Sequence, residues 1–386
     1  MKKCLVAVLS LAVYCASIAS VPAADISGKA QVETYAKLVY ANYQDAYADA
    51  KKLQKAVDAL LANPNDATLK AAKDAWLASR NSYGQTEAFR FYEGPIDFVS
   101  QDKKEEGPEG RLNAWPLNEA YIDYVQGNPK SGIIQDEKIK ISEAVLKEKN
   151  QADDEANVST GYHAIEFLLW GQDLSADGPG NRPSSDYAKG DKIKERRREY
   201  LKAVTDILVE DLDFLVTSWE PNKDNYAKKF IAADPKESLG KIMTGLATLS
   251  GFELSSERMA TALDSGDQED EHSCFSDNTH NDFIYNAEGI ENVYTGHYGS
   301  VKGAGIDALL AAKDKALADK LTAQIAETKK LIASLPVPID TKVLASPKDS
   351  EGRKKMEAAV VSLQKEADLL KQAGRVLGVK ADIVSE

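Results

Sequence analysis

The chain has 386 residues, 43% hydrophobic and 28% charged, a globular composition that excludes wholesale disorder and allows more than one domain. Lys and Arg total 48 against 61 Asp and Glu, a net charge of −13. An acidic chain with no basic block excludes a nucleic-acid binder, which needs clustered cations for phosphate. Three cysteines exclude a disulfide framework.

Residues 1–23 read as a secretory signal peptide. Met1-Lys2-Lys3 is a short positive segment, residues 4–19 are apolar or small, and Val21-Pro22-Ala23 places small residues before a cut. The apolar run is shorter than the ~20 residues a bilayer-spanning helix needs, and no later run reaches that length, so no transmembrane segment is expected. Bulky Tyr14 before Cys15 argues against a lipid anchor. The expected location is periplasmic or secreted. Cleavage removes Lys2, Lys3, Cys4 and Cys15. The mature charge becomes −15, and Cys274 is left as the single cysteine. Its simplest reading is a buried small hydrophobe.

The remainder shows helical periodicity and almost no alternating Val-Ile-Thr runs. A first helix is expected over 31–62, closed by Asn63-Pro64-Asn65. Asp66 is placed to cap the next, which carries Leu69, Ala72, Trp76 and Tyr83 at helical spacing and ends near Tyr92-Glu93-Gly94-Pro95. Residues 100–133 read as a long connection with short elements. A helix over 156–171 stops at Gly171, and 175–191 is a loop of turn formers without calcium-loop spacing. The helix at 191–219 buries Tyr200, Leu201, Val204, Leu208, Leu212, Leu215 and Trp219. Further helices are expected over 236–264, 282–296, 304–334 and 351–376. The fold class is all-α: two helical-bundle halves, 25–220 and 236–386, with a break near 221–235. A faint echo between 91–99 and 287–294 would suit an internal duplication.

The sharpest chemical segment is Gly161-Tyr162-His163-Ala164-Ile165-Glu166. His163 and Glu166 are three apart, so a helix puts both on one face. An imidazole and a carboxylate there can supply two ligands to a divalent metal. The bland alternative is a satisfied histidine–carboxylate hydrogen bond in the core.

This stretch matches the GxHxxE motif of the imelysin family, and the neighbouring segments resemble its iron-regulated protein A branch. The likeness is carried by Thr86-Glu87-Ala88-Phe89-Arg90-Phe91 with Gly94-Pro95-Ile96-Asp97, by Asn113-Ala114-Trp115-Pro116-Leu117-Asn118-Glu119-Ala120-Tyr121-Ile122-Asp123-Tyr124, and by the acidic string 267–280. It spans about residues 30–380. The resemblance implies an exported protein of two helical-bundle halves, a link to iron acquisition, and a ligand or metal site around His163 and Glu166. The family name carries a peptidase claim. The chain has no H-E-x-x-H, however, and no second histidine one turn from His163. Binding without turnover is the better-supported class, with a metallopeptidase using the same pair as the alternative.

Within 264–282 seven acids surround His272, Cys274 and His280. Mixed carboxylate, imidazole and thiol groups suit transition metals. A solvated acidic loop, or one that docks a basic partner, is the competing reading. Asp270, Cys274 and Glu87 are taken as candidate ligand contacts, and His163, Glu166, His272 and His280 as candidate metal ligands. Glu87 has a plain i,i+3 ion pair with Arg90 as its alternative. Trp115, Tyr121 and Tyr124 read as core, and Arg196-Arg197-Arg198 as a solvated helix face. The expected cofactor is a divalent or ferric metal ion, iron or zinc, arriving free or as a chelate. An envelope protein of iron uptake is a further expected partner. Metal affinity is expected to fall as pH drops through the histidine range near 6.5.

Overall fold

Asn63-Pro64-Asn65 ends one helix and starts another. The computed structural model describes residues 27–100, 105–176 and 178–384. The expected signal peptide and its cysteines lie outside the described residues. Helix Lys29–Ala62 turns at this tripeptide into helix Asp66–Gln85. The cap is Asn65 rather than Asp66. Asn65 is extended (φ −162°, ψ 169°), so its side chain accepts from the Ala67 and Thr68 amides, and Thr68 closes the box by accepting from the Asn65 amide. Asp66 falls in the first turn, where its charge favours the helix dipole.

The two helices pack on each other, and the first also packs on Lys192–Trp219, whose seven expected apolar positions are all buried. The stretch 221–235, expected as a break, holds a short helix, Tyr226–Ala232. Its Phe230 ring lies 5.6 Å from Tyr35 and 5.4 Å from Trp219. Burial of these aromatic faces keeps the segment on the first helix instead of leaving it as a linker.

The expected 236–264 helix runs as Pro235–Thr248, a π-helical stretch Leu249–Ala260, and Thr261–Ser265. Leu239, Ile242, Met243, Leu246, Leu249 and Met259 are buried as the periodicity requires. In the π stretch Arg258 donates through Nε to Glu253 at 3.0 Å, a five-residue spacing that matches the i→i+5 turn. Helix Thr279–Thr295 follows and packs on Asp66–Gln85, which joins sequence-distant parts of the chain. The expected 304–334 helix is two, Ile306–Lys313 and Lys315–Ala333. Asp314 leaves helical geometry (φ −147°, ψ 88°), and its side chain accepts from the Leu317 amide, which starts the second helix. Helix Glu351–Leu377 closes the C-terminal bundle against Lys315–Ala333 and the π stretch. Helix makes up 67% of the structure and strand 3%, which settles an all-α class.

The three arginines at 196–198 are not a solvated face. Arg197 is 3% exposed and grips Asp123 through Nε and Nη2 at 2.6 and 3.1 Å. Arg196 donates to the carbonyls of Ile133, Ile134, Asp136 and Ile139. The irregular 113–142 connection leaves carbonyls and a buried carboxylate without backbone partners, and these arginines supply the donors. Among the described residues no helix is long and apolar enough to cross a membrane.

Candidate functional site

Helix Gly161–Trp170 carries the GxHxxE motif, and all ten of its residues are buried. Gly161 has φ +86°, and a Cβ there would lie 2.6 Å from the Leu112 carbonyl oxygen and 2.7 Å from that of Arg111. Only glycine lets the helix start this close to the short helix Glu109–Leu112. The helix is pinned by Trp76, whose indole N–H donates to the Tyr162 carbonyl at 2.9 Å. Gly171, at φ +73°, ends it.

One turn of this helix brings His163 Nδ1 to 2.9 Å from Glu166 Oε2. The other carboxyl oxygen, Oε1, accepts from the Ser276 amide at 2.9 Å and from its hydroxyl at 2.6 Å. Both oxygens of Glu166 are therefore engaged. Burial pushes the Glu166 carboxyl up to about 8, although the Ser276 hydrogen bond opposes this. Burial also holds His163 well below the ordinary imidazole value, and Arg80 and Arg258 add to the effect.

The acidic string folds onto this helix. His272 is buried, with its ring centroid 5.5 Å from that of His163. Trp115 stands against both, 4.9 Å from His163 and 5.7 Å from His272. It thus acts as a wall to the imidazoles rather than as anonymous core. Three ring nitrogens in this group are buried without a hydrogen-bond partner among the described residues: His163 Nε2, His272 Nδ1 and Trp115 Nε1. Phe275 packs behind, 5.8 Å from Trp115 and 5.3 Å from Phe167. Burial, then Arg258 and His163, keep His272 well below the usual range. Both imidazoles are thus neutral at neutral pH.

The loop is held down by charge. Ser273, in left-handed geometry at φ 60°, donates to Asp282 Oδ2 at 2.6 Å. Asp282 in turn pairs with the buried Arg80 at 3.0 Å. Arg80 also donates to Asn113 at 2.5 Å, and Asn113 donates to Glu87 at 3.2 Å.

Other expected residues fall elsewhere. Glu87 does not join Glu166. Its Oε2 receives Arg258 at 2.7 Å and Arg90 at 2.9 Å, so it neutralises buried guanidinium groups. His280 is half-buried with Nδ1 3.2 Å from the Asp277 carbonyl. Asp270 is part-exposed in the short 3-10 turn Gln268–Asp270. Burial and the carboxylates of Glu269, Glu166, Glu271 and Glu119 push the Cys274 thiol up, so it offers no thiolate. The nearby cleft of about 450 Å³ is lined by Tyr124, Trp170, Gln172 and Arg182, and not by the pair.

Sequence reasoning passed over Ser276, Arg80, Asp282, Arg258 and Glu119. Arg258 carries a signal in hindsight, a cation beside Met259 in an apolar run. Glu119 shares a stretch with Trp115 and accepts from Gln172 through Oε2, while Oε1 is buried without a partner among the described residues. Burial, reinforced by Glu269, raises its carboxyl to about 7.

Known proteins share this architecture. Iron-regulated protein A of Synechococcus elongatus is 26% identical over 322 residues, 81% of this chain and 76% of the relative. The crystal structure of a candidate iron-regulated protein A precursor from Parabacteroides distasonis matches with a TM-score of 0.70 at 20% identity, covering 92% of this chain and 97% of that one. An imelysin-like protein from Psychrobacter arcticum gives 0.64 at 15% identity, covering 94% and 98%. These two likenesses concern the fold. The imelysin family model spans residues 39–370, across both bundles and the GxHxxE helix, and this chain belongs to that family.

Proposed function

We propose that this protein is exported and serves iron acquisition by binding a metal ion, iron or zinc, or its chelate, through the imidazoles of His163 and His272, without turnover. The observation that carries the reading is the pair of buried, partnerless nitrogens, His163 Nε2 and His272 Nδ1, on rings 5.5 Å apart. A neutral imidazole is a metal ligand, and a buried one without a hydrogen bond is costly unless something occupies it. Burial keeps Glu166 protonated at neutral pH, and when a metal binds, loss of that proton leaves a carboxylate that accepts from His163 Nδ1–H and orients the ring with Nε2 free to coordinate. Two imidazoles leave positions for water or chelate oxygens. A peptidase needs a carboxylate free to take a proton from metal-bound water, whereas both Glu166 oxygens are held by His163 and Ser276. The link to iron rests on the names of the relatives, and export on the leader at residues 1–23. The acidic mature chain suits cation attraction or a basic face on an envelope partner.

The test is calorimetric titration of wild type, His163→Ala, His272→Ala and Glu166→Gln with ferrous, ferric-citrate and zinc ions, after elemental analysis of the purified protein. Each histidine variant should lose binding, and Glu166→Gln should weaken it roughly 10–100-fold. Because Glu166 must lose its proton for this arrangement and burial raises its carboxyl to about 8, affinity should fall as pH drops through about 8, above the point the sequence suggested. Equal affinities in all four proteins would remove the pair from the site.

A further inference from the structure

A second group of side chains stands apart from the imidazoles. Asp173, Asp277 and Asp340 each offer a carboxylate oxygen, and these oxygens all lie within 4.8 Å of one another. The three residues come from separate parts of the chain. Asp173 follows the end of helix Gly161–Trp170, Asp277 closes the turn Cys274–Ser276, and Asp340 opens the π-turn Asp340–Leu344. Among the described residues no lysine or arginine forms an ion pair with any of them.

Burial makes this arrangement costly as it stands. Asp173 is 3% exposed and Asp340 7%. Among the described residues Asp173 Oδ2 and Asp340 Oδ1 are buried oxygens without a hydrogen-bond partner. The other oxygen of Asp173 accepts from the Ser175 amide at 3.2 Å, so this side chain is held in place with one oxygen unused. Clustered carboxylates repel one another, and a buried carboxylate with no donor is unfavourable. A divalent cation removes both costs.

We propose that Asp173, Asp277 and Asp340 form a calcium-class cation site, distinct from the His163–His272 pair, that clamps the acidic string and the 340–344 turn to the end of the GxHxxE helix. The donors are all oxygen, with no nitrogen or sulfur, which selects a hard cation over iron(II) or zinc. Ligands from three separate irregular segments, with waters completing the shell, suit the variable geometry of calcium better than the strict octahedron of magnesium. The site also has a structural consequence. Asp277 adjoins Ser276, the residue that donates twice to Glu166. A cation on Asp277 fixes that contact.

The experiment uses the full mature chain stripped with a chelator and titrated with calcium, magnesium and zinc, by calorimetry and by thermal unfolding. Wild type should bind one calcium with a dissociation constant on the order of 0.1–1 mM, and its unfolding midpoint should rise with calcium concentration. Asp173→Asn and Asp340→Asn should abolish both effects. Each should also unfold no earlier than wild type in the absence of calcium, since each removes a repelling charge. His163→Ala should keep the calcium response whether or not it loses zinc, which separates this site from the imidazole reading. No calcium-dependent shift in wild type, an equal shift in Asp340→Asn, or tighter binding of magnesium than calcium would overturn the proposal.

Discussion

Replacing Arg258 with methionine probes the charge network that ties Glu87 to Glu253 and Asn286. Arg258 is 1% exposed. Its Nη2 lies 2.7 Å from both Glu87 and Glu253, and its Nη1 donates to Asn286 at 2.6 Å. Burial alone would raise the Glu87 carboxyl. Arg258 and then Arg90 outweigh it and hold that carboxyl at about 2 instead of the ordinary 4.5. That difference corresponds to about 3 kcal/mol of stabilisation at neutral pH. Glu87 is depressed, so this stability is present above pH 4.5 and is lost as pH falls toward 2. Arg258→Met leaves Glu87 with Arg90 and Asn113 only, and the cost of stranding a buried charge is about 3–5 kcal/mol. Urea denaturation at pH 7 measures it. The double variant Glu87→Gln/Arg258→Met should fall short of the sum of the single losses by more than about 1 kcal/mol, because the two groups are in contact. A loss below about 1 kcal/mol for Arg258→Met, or strict additivity, would refute the argument that Arg258 holds Glu87 ionised.

Two further outcomes follow from burial. Leu246 is fully buried on the stripe of helix Pro235–Thr248, and Leu246→Ala should cost about 2–5 kcal/mol in the same assay, whereas a change within error would mean the cavity collapses or the stripe is not packed. Glu366 is buried with Oε2 unpartnered among the described residues, and burial raises its carboxyl to about 7 against the opposing hydrogen bonds of Thr328 and Ser250. Stability tied to its neutral form is present below about 4.5 and is lost as pH rises through 7. Glu366→Gln should therefore gain about 2–3 kcal/mol over wild type at pH 8 and nothing at pH 4, and denaturation at the two pH values decides it.

The sequence by itself determined the helices and the motif. Apolar residues at 3.6-residue spacing specify a helix wherever one face must leave water, so the stripes of 191–219 and 236–264 were legible without coordinates. The i,i+3 contact of His163 and Glu166 was equally legible, because it depends only on local helical geometry. Local rules also misplaced some details. Whether Asn65 or Asp66 caps a helix depends on which residue is extended, and the break at Asp314 depends on one non-helical residue inside a periodic run. Only the tertiary structure decided which distant groups meet. His272 reaches His163 because Ser273 and Ser276 anchor the acidic string to Asp282 and Glu166. Glu87 went to Arg258, and Arg197 went to Asp123, because a buried charge must find an opposite charge inside the fold. The convergence of Asp173, Asp277 and Asp340 has the same origin. Periodicity reports which face of an element is buried. The partners that face meets are set by packing between segments far apart in the chain, which no local spacing encodes.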